Sequence, residues 1–309
     1  PPTNKVFEVM KSFYRYERYP DITAKELKIK LSEYVALPTQ FIEVYNGSDD
    51  ALKDIITVFV DKDTKVLSYQ PSYTQVNTFI TTNTDNYMKV NIKDPFGKHE
   101  YDFNYCRIND VVYLVNPNNP TGKLLEVDKI EELVKTYPDV LFIIDEAYYE
   151  FAKMSCCHLV VSHKNLIVTR TFSKAFGLAS VRLGYCMGHP DTLSHLRKVR
   201  NGKAVNTLAQ MCGIAALDDL DYLDSRINEM NDAKKFFVDN LPYQYHAVDS
   251  HTNFILLKTP DSKKLLNKMK DNKILIRDRS SFDNLENCVR ITIGSKKQII
   301  RVLDVINYA

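Results

Sequence analysis

Residues 165–185 read NLIVTRTFSKAFGLASVRLGY. The stretch opens on the apolar run Leu166 to Val168. Small and hydroxyl residues follow, with a single lysine, Lys174, among them. β-Branched residues favour a strand, and in an open parallel sheet the polar residues just past the carboxyl end of a strand face the ligand crevice. The same pattern recurs upstream. FIEVYNGS precedes the helical-period run DALKDIITVFV, KVLSYQP precedes YTQVNTFI, DVVYLVNP precedes VDKIEELVKTY, and DVLFIIDEAY leads into the quoted stretch. Strands alternating with amphipathic helices predict parallel βαβ units. The fold class is therefore α/β, with a mostly parallel central sheet flanked by helices.

From about Thr207 to Asn240 the pattern is almost wholly helical, and it stops at Leu241-Pro242. Beyond that point HTNFILLK, KILIRD and CVRITIG alternate with SKKLLNKMKD and KKQIIRVLDVIN, the pattern of a smaller α+β domain. The first 35 residues carry few strand signals and are expected to pack with that domain. The expected division is a large domain over residues 36–240, and a small one made of residues 1–35 plus 241–309.

The 309-residue chain is 44% hydrophobic, enough for a sizeable core, and 41 basic against 39 acidic residues leave a net charge of +2. No basic block stands out, so no nucleic-acid partner is expected, and the LRKVR run at 196–200 reads as a solvated helix face. Six cysteines occur without a C-x-x-C pair, and adjacent Cys156-Cys157 is poor spacing for chelation. Free buried thiols in a reducing cytoplasm, and no metal, are the expectation. No apolar run approaches the roughly 20 residues of a membrane helix, and a signal peptide is not expected. The chain opens on Pro1-Pro2 without a methionine, so some N-terminal sequence is expected to be missing.

The strand ends carry the chemistry. FIEVY runs into Asn46-Gly47-Ser48-Asp49 at a helix start, where exposed N–H groups suit a phosphate, or where Ser48 or Asp49 serves as an ordinary N-cap. Tyr73, after KVLSYQP, offers a flat face to a ring or simply packs. VVYLVN enters Pro117-Asn118-Asn119-Pro120-Thr121-Gly122, a tight turn that fixes the Asn119 amide. Asp145 ends LFIID. A carboxylate there is costly unless a cation from a ligand or an arginine meets it, and Tyr148 is placed to aim into the same space. An amine at Lys174 can form a Schiff base with an aldehyde, while Thr171, Ser173 and Arg182 supply the groups that hold a phosphate dianion. Pyridoxal phosphate has the aldehyde, the phosphate and a protonated ring nitrogen to meet Asp145, so it satisfies these residues jointly. Arg277 and Arg290, set among strand apolar residues, call for anions. Substrate carboxylate or phosphate is one source, and Asp278 or Asp283 is the other.

Taken in order, NGSD, NPNNPTG, DEAY, TFSKAFGLASVRLGY, ILIRDRS and VRITIG resemble the fold-type I pyridoxal-phosphate aminotransferases, in particular the histidinol-phosphate aminotransferase group. The likeness runs from RYPD at Arg18 to Gly294. It implies that Lys174 holds the cofactor covalently and then acts as general base, and that Asp145 keeps the ring nitrogen protonated. It also implies that Tyr148 and Asn119 bond the ring hydroxyl, that Tyr73 stacks, and that Ser48 and Asp49, at the turn after Gly47, together with Thr171, Ser173 and Arg182 surround the phosphate. Arg290 would take a substrate α-carboxylate and Arg277 a distal acidic group. Tyr19 would reach the neighbouring subunit's site, which implies a homodimer with shared active sites.

The implied activity is transfer of an amino group between glutamate and a phosphorylated ketone or amine of the histidinol-phosphate type. Two departures bear on the substrate. The family's N-terminal N-E-N-P-x-G arm is not in this chain, and its proline-tyrosine-asparagine stretch is replaced by Arg200-Asn201-Gly202-Lys203-Ala204-Val205-Asn206. Another phosphorylated small molecule, or a nucleotide-sugar or capsule precursor, therefore stays open as substrate. A phosphothreonine-type decarboxylase and a non-catalytic cofactor-binding protein are the alternative readings.

Overall fold

A computed structural model describes residues 1–307. Seven strands form the larger sheet: β1 (Ile42–Tyr45), β2 (Val66–Gln70), β3 (Tyr87–Asn91), β4 (Val111–Val115), β5 (Leu141–Asp145), β6 (Leu166–Thr171) and β7 (Gly184–Gly188). Their spatial order is β1-β7-β6-β5-β4-β2-β3. Neighbouring pairs from β3 across to β6 are parallel, and β7 runs antiparallel to both β6 and β1. β4 to β6 are buried from end to end apart from Leu141, which is why they read as continuous apolar runs rather than as alternating ones.

Helices cover both faces. On one side α1 (Asn4–Ser12) and α2 (Lys25–Val35) insert Val6, Leu27 and Leu31 into a core with Val44, Val112, Phe142 and Val168. On the other, α3 (Ser48–Phe59) and α4 (Gln75–Thr81) pack Leu52, Ile55, Ile56, Val76 and Ile80 against Tyr113, Ile143 and Ile167. Burying each such aliphatic side chain is worth about 1.5–3 kcal/mol. α5 (Val127–Thr136) and the short α6 (Tyr149–Ala152) flank β5 in sequence, α7 (Pro190–Val199) joins the α3 layer through Leu193 and Leu196, and α8 (Thr207–Leu217) packs on α1 and α2.

Residues 1–35 thus sit elsewhere than the sequence pattern predicted. Their apolar positions complete the core of the large sheet, against α8, instead of joining the small module. The LRKVR run also differs from a solvated face. Arg197 Nε donates to Glu43 Oε1 at 2.5 Å, and Arg200 Nε lies 3.4 Å from Glu43 Oε2, beside Lys28 Nζ at 2.9 Å. Glu43 points inward from β1 and is 1% exposed, so these cations offset a buried charge.

α9 (Leu220–Asp239) bridges the two units: Leu223 and Ile227 belong to the large core, Ala233 and Phe237 to the small one. The second sheet contains β8 (His246–Ala247), β9 (Phe254–Lys258), β10 (Arg277–Asp278) and β11 (Cys288–Thr292), in the order β10-β11-β9-β8, all antiparallel. α10 (Ser262–Asp271) and α11 (Lys296–Asn307) cover one face, where Ile255, Leu257, Val289 and Ile291 meet Leu265, Met269 and Ile299. The opposite face, carrying Arg290, turns toward the large sheet, and Arg290 Nη1 donates to Asn119 Oδ1 at 2.7 Å. Among the described residues no helix is long and apolar enough to cross a membrane.

Candidate active site

The carboxyl ends of β1, β4, β5 and β6, with the loop after β2, converge on a cavity of about 160 Å³. A larger surface groove of about 680 Å³, around Phe59, His163 and His195, collects none of the strand-end residues and is not the site.

At one end of the cavity lies an anion cup. Gly47 has φ +91°, and a Cβ there would stand 2.6 Å from Arg182 Nη2, so only glycine lets the guanidinium lie over the turn. α3 starts at once, and no side chain caps its N-terminus; neither Ser48 nor Asp49 acts as the ordinary cap. Arg182 Nη1 donates to Ser173 Oγ at 3.5 Å, and the Ser173 backbone N–H is held by Thr171 Oγ1 at 3.1 Å. Ser48, Asp49, Thr171, Ser173 and Arg182 all line the cavity. Donors, a guanidinium and a free helix N-terminus gathered in one place form a seat for a phosphate.

Asp145 lies deeper, 3% exposed. Its Oδ2 accepts from Tyr113 Oη at 3.0 Å; its Oδ1 accepts from Ala147 N at 3.2 Å and Thr169 Oγ1 at 3.3 Å. Among the described residues it has no ion pair, so the arginine alternative for its partner does not hold. Burial pushes its pKa up to about 6, which the Tyr113 hydroxyl partly opposes. The cation it requires must come from a ligand.

Lys174 reaches the same cavity, with its Nζ 5.6 Å from the centre of the Tyr148 ring. Burial, then the Arg290 cation, lower its pKa, and Asp145 and Asp49 oppose the shift. Tyr148 is buried, its pKa pushed up to about 12 mainly by desolvation, so its hydroxyl stays protonated. Tyr73 lines the wall, tethered by its hydroxyl to Asp49 Oδ1 at 2.9 Å. Because Asn119 Oδ1 accepts from Arg290, its amide nitrogen is left as the donor facing the cavity.

The two remaining arginines part company. Arg290 is half-buried against Phe254, its guanidinium 4.8 Å from the ring centre, whereas Arg277 is exposed. Tyr19 is 79% exposed, with Lys203 Nζ 4.7 Å from its ring centre, and does not line the cavity of its own protomer.

Sequence reasoning missed Tyr113 and Thr169, the hydrogen-bond donors to Asp145. Thr169 is its direct register partner, and Tyr113 lies two residues before Val115, its partner on the other side. Polar residues of one parity in adjacent apolar strands were the available signal. It also missed Arg279, half-buried beside Arg290, and His99, whose Nε2 meets Thr121 Oγ1 at 2.9 Å under the NPNNPTG turn.

The cavity fits pyridoxal phosphate on its own terms: a phosphate cup, an amine with a lowered pKa, and a buried carboxylate lacking a cation. Comparison with known proteins agrees. The family model described as aminotransferase class I and II matches residues 3–306. The chain is 37% identical to a dihydroxyacetone phosphate transaminase of Campylobacter jejuni, over 98% of this chain and 86% of that protein. It is 30% identical to a histidinol-phosphate aminotransferase of Geotalea daltonii, over 98% of this chain and 88% of that one. The fold matches the crystal structure of histidinol-phosphate aminotransferase from Sinorhizobium meliloti with pyridoxal-5'-phosphate (TM-score 0.89, 23% identity, 99% of this chain and 88% of that chain). It also matches L-threonine-O-3-phosphate decarboxylase from Porphyromonas gingivalis (TM-score 0.86, 24% identity, 99% and 94%). The chain belongs to the class I and II aminotransferase family and is a pyridoxal-phosphate-dependent transaminase.

Proposed function

We propose that the enzyme moves an amino group between glutamate and a phosphorylated small-molecule ketone or amine; the compounds named for its two relatives are one of each, and both are phosphorylated. The observation that carries this reading is Arg290. It is half-buried and joined to Asn119 at the cavity, its Nε has no hydrogen-bond partner, and it has no carboxylate partner among the described residues. A guanidinium left so needs an anion from the substrate.

Pyridoxal phosphate, when bound, supplies an aldehyde that condenses with amines and a ring that withdraws electrons. The chain's own residues do the rest. Arg182, Ser173, Thr171 and the start of α3 hold the phosphate end, and Tyr73 covers the ring. Asp145, ionised above about pH 6, holds the ring nitrogen in its protonated form. Asn119 and Tyr148 direct donors at the ring oxygen. Lys174, whose ammonium form is disfavoured by burial and by Arg290, would hold the aldehyde until the substrate's amine displaces it, and as the freed neutral amine would move the proton at the substrate carbon that bears nitrogen. Arg290 orients the substrate's acidic group. We also propose a homodimer in which Tyr19 serves the partner subunit's site, and a cytoplasmic location.

The test is a pair of reactions on the holoenzyme: glutamate with dihydroxyacetone phosphate, and histidinol phosphate with 2-oxoglutarate. Amino transfer to or from at least one phosphorylated compound is expected. Transfer confined to unphosphorylated acceptors, or carbon dioxide released from phosphothreonine without amino transfer, would sink the proposal.

A further inference from the structure

Between β3 and β4 the chain makes a short hairpin excursion. Lys93 and Glu100 bridge its base through N–H···O bonds of 2.9 and 2.8 Å, and the Asp94 carboxylate closes its turn by accepting from the Gly97 and Lys98 N–H groups, each at 2.9 Å. His99 leaves that turn with φ +56°, a left-handed conformation that a residue with a Cβ adopts at a cost. Its N–H donates to Asp94 O at 2.9 Å, and its ring stands edge-on to Tyr101 with 5.1 Å between centres. The imidazole is thereby held, buried, beneath the turn at 117–122.

The hydrogen atoms there follow from counting. Thr121 Oγ1 accepts from Asn118 Nδ2 at 2.9 Å and from Lys123 N at 3.5 Å, which uses both of its lone pairs. Its own hydrogen therefore goes to His99 Nε2, 2.9 Å away. Burial, and then the charge of Lys123, lower the His99 pKa to about 4 against the opposing Asp94, so the ring is neutral and Nε2 can accept. Asn118 is saturated in turn. Its Nδ2 also donates to Pro71 O at 2.9 Å, and its Oδ1 accepts from Ser72 Oγ at 3.0 Å. His99, Thr121, Asn118 and Ser72 are all buried, and a buried chain of this kind is rigid only while every member keeps its partner.

The far end of the chain lies at the cofactor's cavity. Asn119 directly follows Asn118, Tyr73 directly follows Ser72, and both line the cavity. Arg290 takes Asn119 Oδ1, so the amide nitrogen is the donor toward the ring oxygen, and a displacement of about 0.5–1 Å spoils such a bond.

We infer that His99 is a positioning residue for the cofactor: through Thr121 and Asn118 it locks the turn that aims the Asn119 amide at the ring oxygen. This is independent of which substrate is used and rests on the placement of Asn119 proposed above.

The resting holoenzyme, without substrate, supplies the readout. A donor at the ring oxygen draws charge from it and makes the neighbouring nitrogen, where cofactor and Lys174 join, easier to deprotonate. Losing that donor therefore raises the midpoint of the pH-dependent change in the cofactor's visible absorbance. Asn119→Ala gives the full shift. His99→Ala and the nearly isosteric Thr121→Val each raise the midpoint by about half a pH unit or more, and the double variant goes no higher than the larger single one, because both cut the same chain. His99→Gln, whose Oε1 can accept in place of Nε2, returns most of the wild-type midpoint. Melting of the cofactor-free proteins is recorded alongside, since a merely structural role lowers the melting temperature and leaves the midpoint where it was. Should His99→Ala fail to fold, Thr121→Val and His99→Gln carry the decision. The inference is overturned if Thr121→Val or a folded His99→Ala keeps the wild-type midpoint, if the two shifts add, or if His99→Gln shifts as far as Thr121→Val. An unshifted Asn119→Ala removes the placement of Asn119 at the ring and the inference with it; a shifted Asn119→Ala beside unshifted His99 and Thr121 variants removes the inference alone.

Discussion

Asp145 has three hydrogen bonds and no cation, and that combination sets function against stability. A carboxyl whose pKa is raised on folding, here from 3.8 to about 6, binds its proton more tightly in the native state than in the unfolded chain. It favours the fold below about pH 4, and that contribution is lost as pH climbs through about 6. The shift corresponds to a penalty on the order of 2–3 kcal/mol for the ionised form at neutral pH. Cofactor-free Asp145→Asn is therefore expected to melt higher than cofactor-free wild type at pH 7.5, with the gap closing as pH falls toward 4. The same substitution should abolish most transaminase activity, because an amide does not stabilise a protonated ring nitrogen. Differential scanning calorimetry of both proteins across that pH range is the check, and a gap independent of pH would refute the cause given. Asp145 itself was legible in the sequence, since a charge directly after Leu141–Ile144 had to be met by something. Its hydrogen-bond donors were not, because Tyr113 and Thr169 look like ordinary strand residues until the register sets them beside it.

The element proposed to bind the cofactor's phosphate is the junction between β1 and α3, and its geometry hangs on a residue without a side chain. A methyl group at Gly47 would meet both a positive φ and Arg182 Nη2 at 2.6 Å. Gly47→Ala should therefore displace Arg182 from the helix start and weaken cofactor binding by about 10–100-fold, the worth of one or two charge-assisted hydrogen bonds. Lys174 and Asp145 should remain competent once cofactor is saturating. Titration of the cofactor-free variant with pyridoxal phosphate, followed by absorbance, measures this; an unchanged dissociation constant would show that the cup does not depend on Arg182. Elements of this kind were readable because each strand is a short β-branched run closed by turn residues. β10 was less so: KILIRD suggested a strand through the apolar residues, yet pairing is confined to Arg277 and Asp278. With so short a strand at a sheet edge, the pattern alone did not tell how deeply each arginine is buried: Arg277 is exposed and Arg279 half-buried. The LRKVR run misled for a related reason, as its partner, Glu43, lies more than 150 positions away in β1.

At the scale of the whole molecule, composition and order gave the two-sheet architecture, but not the home of the N-terminal helices. Val6, Leu27 and Leu31 are apolar at helical spacing, which says that α1 and α2 bury a face and not which surface receives it. The segment just before α2 raises the same issue between molecules. Tyr14, Tyr16 and Tyr19 are 72%, 76% and 79% exposed in a single protomer, beside Arg15 and Arg18. Exposed aromatic clusters of this kind mark interaction surfaces, and a second copy of the chain is the occupant already proposed. If Tyr19 completes the partner's site, two inactive variants should rescue each other. A Lys174→Ala homodimer lacks the reactive amine in both sites, and a Tyr19→Ala homodimer lacks the donated tyrosine in both. In a heterodimer, the subunit that keeps Lys174 receives Tyr19 from its partner, so one of its two sites is whole. Random exchange of equal amounts makes about half the dimers mixed, so about a quarter of all sites, and of wild-type activity, should return. Were Tyr19 to act within its own chain, every site in the mixture would lack one group or the other. Activity would then stay at the level of the Tyr19→Ala protein diluted by half. Assaying the unfolded and co-refolded mixture against each variant alone separates the two cases, because only donation across the interface makes the mixture more active than either component.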